Sequence, residues 1–342
     1  MKFLFTADLH LSRYSQDKVE DQTRLPERLS GIKNAIHHMG KYCVENDIDN
    51  FVIGGDLLHG KSIIYAIAQA IMLDFFAAYP QLNFYVIDGN HDLSDKGKDA
   101  ISALKSIDSE PNVTRIHPDG EQIENVLFVP YSYRMVDIIK SSSSDYLVSH
   151  FGLNEGLLSS GISIVSDISM RDLAGKYRGV LLGHYHKPQE ISSNSEVLEV
   201  YYVGSPIQLD WGERHEDKRF LVVDTDNNTI ESIPTEGYKK YFEFELTKEN
   251  REEVLEEARK IQEEGNHVSI KRMEDVDISE LSEEFKVIDR VERDITNRGL
   301  TSSMTERDKL KRYLEVKEVP EELHDVYLNV ALEIIEESQC ET

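Results

Sequence analysis

An α/β sandwich is the fold class that this 342-residue sequence predicts, and three observations predict it. Short apolar runs alternate with stretches of helical periodicity from the N-terminus to residue 87, and further apolar runs continue to residue 224. That β-α-β-α-β order builds a sheet covered by helices, not an all-α or all-β fold. The runs are followed by Gly, Asp, Asn or His, at the strand ends where ligands sit in α/β sheets. No run of about 18 apolar residues occurs, which rules out a membrane-spanning helix of ordinary length.

The elements follow in order. Residues 3–7 (Phe-Leu-Phe-Thr-Ala) read as a buried strand. Leu25, Leu29, Ile32, Ile36, Met39 and Cys43 recur at helical spacing and predict a helix over 26–46. A strand at 51–54, a helix over 62–79 and a strand at 82–87 come next, then strands at 126–130, 145–149, 179–183, 198–203 and 219–224. The helix over 62–79 is apolar nearly all round: Ile64, Ile67, Ala68, Ile71 and Phe75 fill one face, and Ile63, Ala66, Ala70, Leu73 and Phe76 much of another. Such a helix is expected to be buried on both sides, against its own sheet and against a second subunit or a capping domain.

The character changes after residue 238. Alternation over 241–246 predicts a strand, and a charged helix follows over about 248–264. Residues 295–304 read as a linker. Two helices close the chain, at 305–316 and 320–337. Thr305 with Asp308 suits the first start, and Pro320 the second. Leu323, Val326, Tyr327, Val330, Ala331, Ile334 and Ile335 make an apolar stripe on the last helix, suited to docking on a partner or on its own domain. The expected organisation is a main domain over 1–235, a capping domain over 239–294 and a C-terminal helical segment over 305–342.

Composition narrows the function. Lys and Arg number 38 against 64 Asp and Glu, a net charge of -26. The part after residue 238 carries -12 of it in less than half the length of the rest. A protein that coats nucleic acid by charge alone is basic. An enzyme that grips phosphate through metal ions, or whose partner supplies a basic surface, remains compatible. Two cysteines exclude a disulfide scaffold and a cysteine-based zinc site. The N-terminus reaches Asp8 too soon for a secretory signal, and a cytoplasmic location is expected.

Five clusters carry the chemistry. They are Asp8-Leu9-His10, Gly55-Asp56, Gly89-Asn90-His91-Asp92, His150, and Gly183-His184-Tyr185-His186. Each lies at the end of an expected strand. A lone histidine there is ordinarily structural, but five coincidences at one topological position point to a site. Oxygen donors from Asp and Asn mixed with imidazole, and no thiolate, suit two divalent ions such as manganese, magnesium or iron. Two such ions clamp a phosphate, and Asp56 is the candidate carboxylate that bridges them.

These five clusters, in order and spacing, resemble the calcineurin-like metallophosphoesterases over residues 1 to about 235. Within that superfamily the chain is similar to the SbcD-type nucleases, including the recombination nucleases of large phages. Gly204-Ser205-Pro206 with Ile207-Gln208-Leu209 resembles a segment those nucleases carry. The protein serine/threonine phosphatases have Glu after Asn-His and Asp-Arg-Gly in the second motif, where this chain has Asp92 and Gly55-Asp56-Leu57.

The resemblance implies a two-sheet αββα sandwich with a small α+β cap and C-terminal helices. It implies that Asp8, His10, Asp56 and His186 hold one ion, and that Asp56, Asn90, His150 and His184 hold the other. The ions implied are manganese or magnesium. His91 would act near the scissile phosphate, Asp92 would orient it, and His59 would face the substrate. The implied reaction is phosphodiester hydrolysis in DNA by a hydroxide that two metals activate. Also implied are a homodimer, an SbcC-like coiled-coil ATPase partner, and a host cytoplasm for a phage-encoded member.

Two alternatives stand beside this reading. Residues 55–62 (Gly-Asp-Leu-Leu-His-Gly-Lys-Ser) match the P-loop pattern, and residues 84–88 resemble a Walker B strand. Asp56 would then put a carboxylate among amides meant for phosphate, and the remaining Asp and His clusters would have no task. A non-catalytic scaffold of the same fold is the other, against which every expected ligand position is filled.

Overall fold

The computed structural model describes residues 1–61, 63–192, 198–290, 304–317 and 319–340, with backbone alone at 306 and 332–340. Two compact units divide the chain: Met1–Phe242 with Glu264–His267, and Glu243–Glu263 with Val268–Thr342.

The first unit is a two-sheet sandwich. Its strands are β1 (Lys2–Thr6), β2 (Asn50–Ile53), β3 (Asn83–Val86), β4 (Val113–Arg115), β5 (Glu121–Ile123), β6 (Val126–Val129), β7 (Tyr146–His150), β8 (Gly179–Gly183), β9 (Gln189–Ser192), β10 (Glu199–Tyr202), β11 (Arg219–Asp224) and β12 (Thr229–Pro234). Helix α1 (Glu27–Glu45) follows β1, α2 (Ala66–Ala78) follows β2, α3 (Met135–Ser141) follows β6 and α4 (Met170–Leu173) follows β7. One sheet runs β12-β11-β1-β2-β3-β4 and the other β5-β6-β7-β8-β10-β9.

Side-chain alternation divides each strand between two cores. Phe3 and Phe5 of β1, Val52 of β2, Phe128 of β6, Val148 of β7 and Leu181 of β8 point inward and fill the space between the sheets. Leu4, Phe51, Ile53 and Phe84 point outward and pack under α1 and α2 with Leu29, Ile36, Phe75 and Phe76. Leu127, Leu147, Val180 and Leu182 do the same on the far sheet with Ile139 and Leu173. Strands apolar on both faces are what a parallel sheet sandwiched by helices requires, and the αββα expectation is borne out.

Helix α2 differs from its expectation. It begins at Ala66, not at 62, because Tyr65 is extended (φ -79, ψ 128). Ala68, Ile71, Met72, Phe75 and Phe76 are buried, whereas Ile63, Ile64 and Ile67 are 64%, 42% and 38% exposed. Burial on both sides is therefore not met within one chain. In this unit the strands that sequence did not reveal, β4, β5, β9 and β12, lie at sheet edges and are half-exposed. Their polar residues face water, so they lack the apolar run that marks a central strand.

Most of a third sheet belongs to the second unit: β13 (Tyr241–Leu246), β14 (His267–Arg272) and β15 (Lys286–Asp289) form its three strands, with α5 (Arg251–Glu263) and α6 (Leu281–Glu284) between them in sequence. Leu246, Leu255, Ala258, Val268, Ile270 and Phe285 make its core. Helices α7 (Glu306–Val316) and α8 (Glu321–Cys340) follow. Thr305 and Asp308 cap α7 reciprocally, as their spacing predicts. The linker expected over 295–304 lies outside the described residues apart from Met304.

Register places the site. Thr6 pairs with Ile53, and Ile53 with Val86, so β1, β2 and β3 end level. Ser149 pairs with Leu182 and His150 with Gly183, so β7 and β8 also end level. The five clusters leave the sandwich from these ends.

Candidate metal centre

Tight backbone turns bring the clusters together. Asp8, His10, Asp56 and His184 all have positive φ, at 55°, 50°, 51° and 95°. They are four of the eight non-glycine residues in that region among the described residues. Non-glycine residues stay there only when their surroundings hold them, typically at functional sites. Gly89 is required by space: a Cβ there would stand 2.2 Å from the Asp56 amide nitrogen and 2.2 Å from its Oδ1.

The donor atoms converge. Asp56 Oδ2 lies 3.6 Å from His10 Nε2 and 3.3 Å from His150 Nε2. His10 Nε2 and His186 Nε2 are 3.0 Å apart. Asp8, His10 and His186 form one potential metal-holding group, and Asp8, Asp56 and His150 another. Asn90 Oδ1 is 3.2 Å from His150 Nε2 and 2.9 Å from His184 Nδ1. The structure thus gathers all seven residues expected to hold metal.

Hydrogen bonding behind the rings tests whether metals fit. His150 Nδ1 donates to the Gly54 carbonyl at 2.8 Å. His186 Nδ1 donates to Glu213 Oε1 at 3.0 Å. His10 Nδ1 meets His59 Nδ1 at 3.1 Å. Each ring has its outer nitrogen engaged and aims Nε2 inward, the atom that a metal would take once any proton on it has left. The donor set therefore fits two divalent ions.

The three residues expected near the phosphate separate. His91 stands beside His59, with rings stacked at 5.2 Å and 10°. Its Nδ1 donates to the His59 carbonyl at 3.0 Å, which leaves Nε2 free. Asp92, expected to orient His91, instead accepts amide hydrogens from Gly89, Leu57 and Leu58. It ties two loops together, and the ring of His91 is oriented by His59. A cleft of about 620 Å³ opens from His10 and His186 past His59, with Arg13, Lys61 and Tyr65 on its walls.

The P-loop alternative loses its structural context. Four residues separate Lys61 from the start of α2 at Ala66, and Ser62 lies outside the described residues. Asp88, the Walker B candidate, is buried against Ser102 and Arg115.

Sequence reasoning missed Glu213, Lys218 and Tyr14. The hydroxyl of Tyr14 donates to the His10 carbonyl. Glu213 and Lys218 belong to the charged stretch 211–218, in which the sequence marked no site; only the neighbouring Gly204-Ser205-Pro206 pointed there. Burial works against ionisation of Glu213, but the bond from His186 and the charge of Lys218 hold it down at about 2.

The calcineurin-like phosphoesterase family matches residues 1–188. The chain belongs to that family. Exonuclease subunit 1 of Enterobacteria phage T4 is 26% identical over 250 residues, covering 68% of this chain and 68% of that protein. The SbcD component of the nuclease SbcCD of Staphylococcus epidermidis is 22% identical over 314 residues, covering 79% of this chain and 78% of the relative. The resemblance to SbcD-type nucleases is borne out. Calcineurin-like phosphoesterases take divalent metals, and the Asp and His groups above offer this one a place for them.

Electrostatics of the metal-free site give a test. Burial lowers the basicity of His150, but Asp56 and then Asp8 outweigh it and raise its pKa to about 9. Burial and the charge of His150 lower His184 to about 3. At neutral pH His150 is thus protonated without metal, whereas ligation needs its bare nitrogen. Manganese uptake should expel at least one proton, and affinity should rise about tenfold per pH unit up to about pH 9. Calorimetry in two buffers of different ionisation heat reads the proton directly. Heats that do not depend on the buffer would remove His150 from the ligand set.

Proposed function

We propose that this protein is the nuclease subunit of a DNA-processing complex that acts in end processing, recombination or repair. On this reading it hydrolyses phosphodiester bonds as an exonuclease, endonuclease or both. The observation that carries the proposal is Asp56 Oδ2, set between His10 and His150 where clusters from both sheets meet. Membership of the phosphoesterase family and two relatives named as nuclease subunits support it.

Asp8, His10, Asp56 and His186 would hold one divalent ion, and Asp56, Asn90, His150 and His184 the other, with manganese favoured and magnesium acceptable. When bound, such ions supply an activated water and neutralise charge on the phosphate. Asp56 serves both positions. His91, held through Nδ1, keeps Nε2 for a proton delivered to the departing sugar oxygen. His59 holds His91 through its carbonyl and faces the cleft. Lys61 and Arg13 offer charge to the flanking phosphates, and Tyr65 a face on which a base can stack.

Cleavage of linear DNA with manganese, abolished by EDTA, tests the reaction. Asp56→Asn should abolish it with little loss of fold. His91→Ser should keep manganese binding and lower turnover by about 10²–10⁴-fold. Calorimetry in which both variants bind manganese like the wild type would rule Asp56 out as the bridge.

The domain reading is a phosphoesterase domain over 1–235, a cap over 239–294 and a partner-binding segment over 305–342. Helices α7 and α8 bury Leu328 and His324 but leave Tyr313, Val326, Tyr327 and Val330 about half exposed. This apolar stripe fits the coiled-coil root of an SbcC-like ATPase, which would also bring the basic surface that a chain of charge -26 lacks. A chain ending at Leu300 should cleave short DNA with metal but no longer co-purify with the ATPase. Retained co-purification would move the docking site to 239–294.

A homodimer completes the proposal, formed through the exposed apolar face at Ile63, Ile64 and Ile67. Light scattering should report about twice 39.3 kDa at micromolar concentration, and a monomer mass would argue against the dimer.

A further inference from the structure

A buried ion pair behind the metal centre has no part in the chemistry above. The side chain of Lys218 is fully buried, with Nζ 2.8 Å from Glu213 and 2.6 Å from Glu216. The same Nζ donates to the His186 carbonyl and to Ser205 Oγ, each at 2.9 Å. Glu213, its side chain 5% exposed, accepts from His186 Nδ1 through Oε1. Its Oε2 accepts from the Leu209 amide at 2.9 Å and from Ser205 Oγ at 3.1 Å.

Stability is a weak reason for such a pair. Desolvating two charges costs several kcal/mol each, and an apolar pair of similar volume is often as stable. What an apolar pair cannot do is grip His186 at two points, its ring through Glu213 and its backbone through Lys218. His186 needs that grip. It follows the end of β8 by three residues, and its side chain is 31% exposed. His150, by contrast, is the last residue of β7, fully buried and fixed by the Gly54 carbonyl. The sheets aim His150 directly, but not His186.

The chemistry of the grip is specific. A neutral imidazole carries one N–H, and a carboxylate at Nδ1 places it there. Nε2 is then left bare, 3.0 Å from His10 Nε2. An amide at position 213 can donate instead of accept and so admit the opposite tautomer.

We infer that Glu213 and Lys218 are positioning residues for His186. Through it they set the affinity of the ion held by Asp8, His10, Asp56 and His186, and leave the ion of Asp56, Asn90, His150 and His184 unaffected. The inference rests on the reading that both positions take divalent ions.

Manganese titration calorimetry on the full chain tests this without any measurement of cleavage. The wild type should show two binding events. Glu213→Gln should weaken one of them about 10–100-fold and leave the other unchanged. The weakened event should be the one that His186→Ala removes. Glu216 still pairs with Lys218 in Glu213→Gln, so the buried cation keeps a partner. Lys218→Met should weaken the same event. Equal weakening of both events, or no change in Glu213→Gln, overturns the inference. So does failure of both Glu213→Gln and Lys218→Met to show a cooperative melt without metal, because the pair would then be structural. A wild type that takes up no manganese overturns the metal reading itself and the inference with it. That outcome is recognised without any variant.

Discussion

The bond from His150 Nδ1 to the carbonyl of Gly54 joins the two sheets at the point where the site forms. Gly54 leaves β2 on one sheet, and His150 ends β7 on the other. A second tie runs from the His184 amide to both carboxylate oxygens of Asp8, each at 3.0 Å. These buried polar bonds lie above a packed core of Phe3, Phe5, Val52, Val148 and Leu181 that fixes the separation of the sheets. A core at crystal-like density resists small displacements. Donor atoms drawn from both sheets therefore hold their mutual distances before any ion arrives.

The same closeness creates an electrostatic problem that metal would relieve. Asp8, Asp56 and four histidines stand within a few ångströms of one another in a largely buried place. Without metal, the proton on His150 balances Asp56, and burial keeps His10 and His184 neutral. Divalent ions, when bound, would exchange that proton for stronger charge. On the nuclease reading proposed above, this would let so acidic a chain address a polyanion: the local charge at the chemistry would belong to the ions, whatever the sign of the surrounding surface.

Support in the site is layered. Behind His91 stands the His59 carbonyl, behind His10 the His59 ring, and behind His186 the Glu213–Lys218 pair. Asp92 fastens the amides of residues 57, 58 and 89, so the loops that carry Asp56 and Asn90 cannot separate. Backbone strain at Asp8, His10, Asp56 and His184 is held in place by these bonds.

The sequence by itself determined the sandwich, the five strand-end clusters and the type of ion they suit. Those features depend on local order: apolar runs that alternate with helical periodicity, and the residue types that follow each run. It also determined the cap at Thr305, because a capping box spans only four residues. The polar edge strands, the start of α2 at Ala66, the task of Asp92 and the partners Glu213 and Lys218 were decided by tertiary structure. Edge strands face water and carry no apolar signature. Asp92 and Leu57 are 35 positions apart, and His186 and Glu213 are 27 apart, in loops whose approach no periodicity records. Residue type and spacing declare which atoms can bind a metal. Which side chain holds those atoms in aim depends on long-range approach, and only the folded chain sets that.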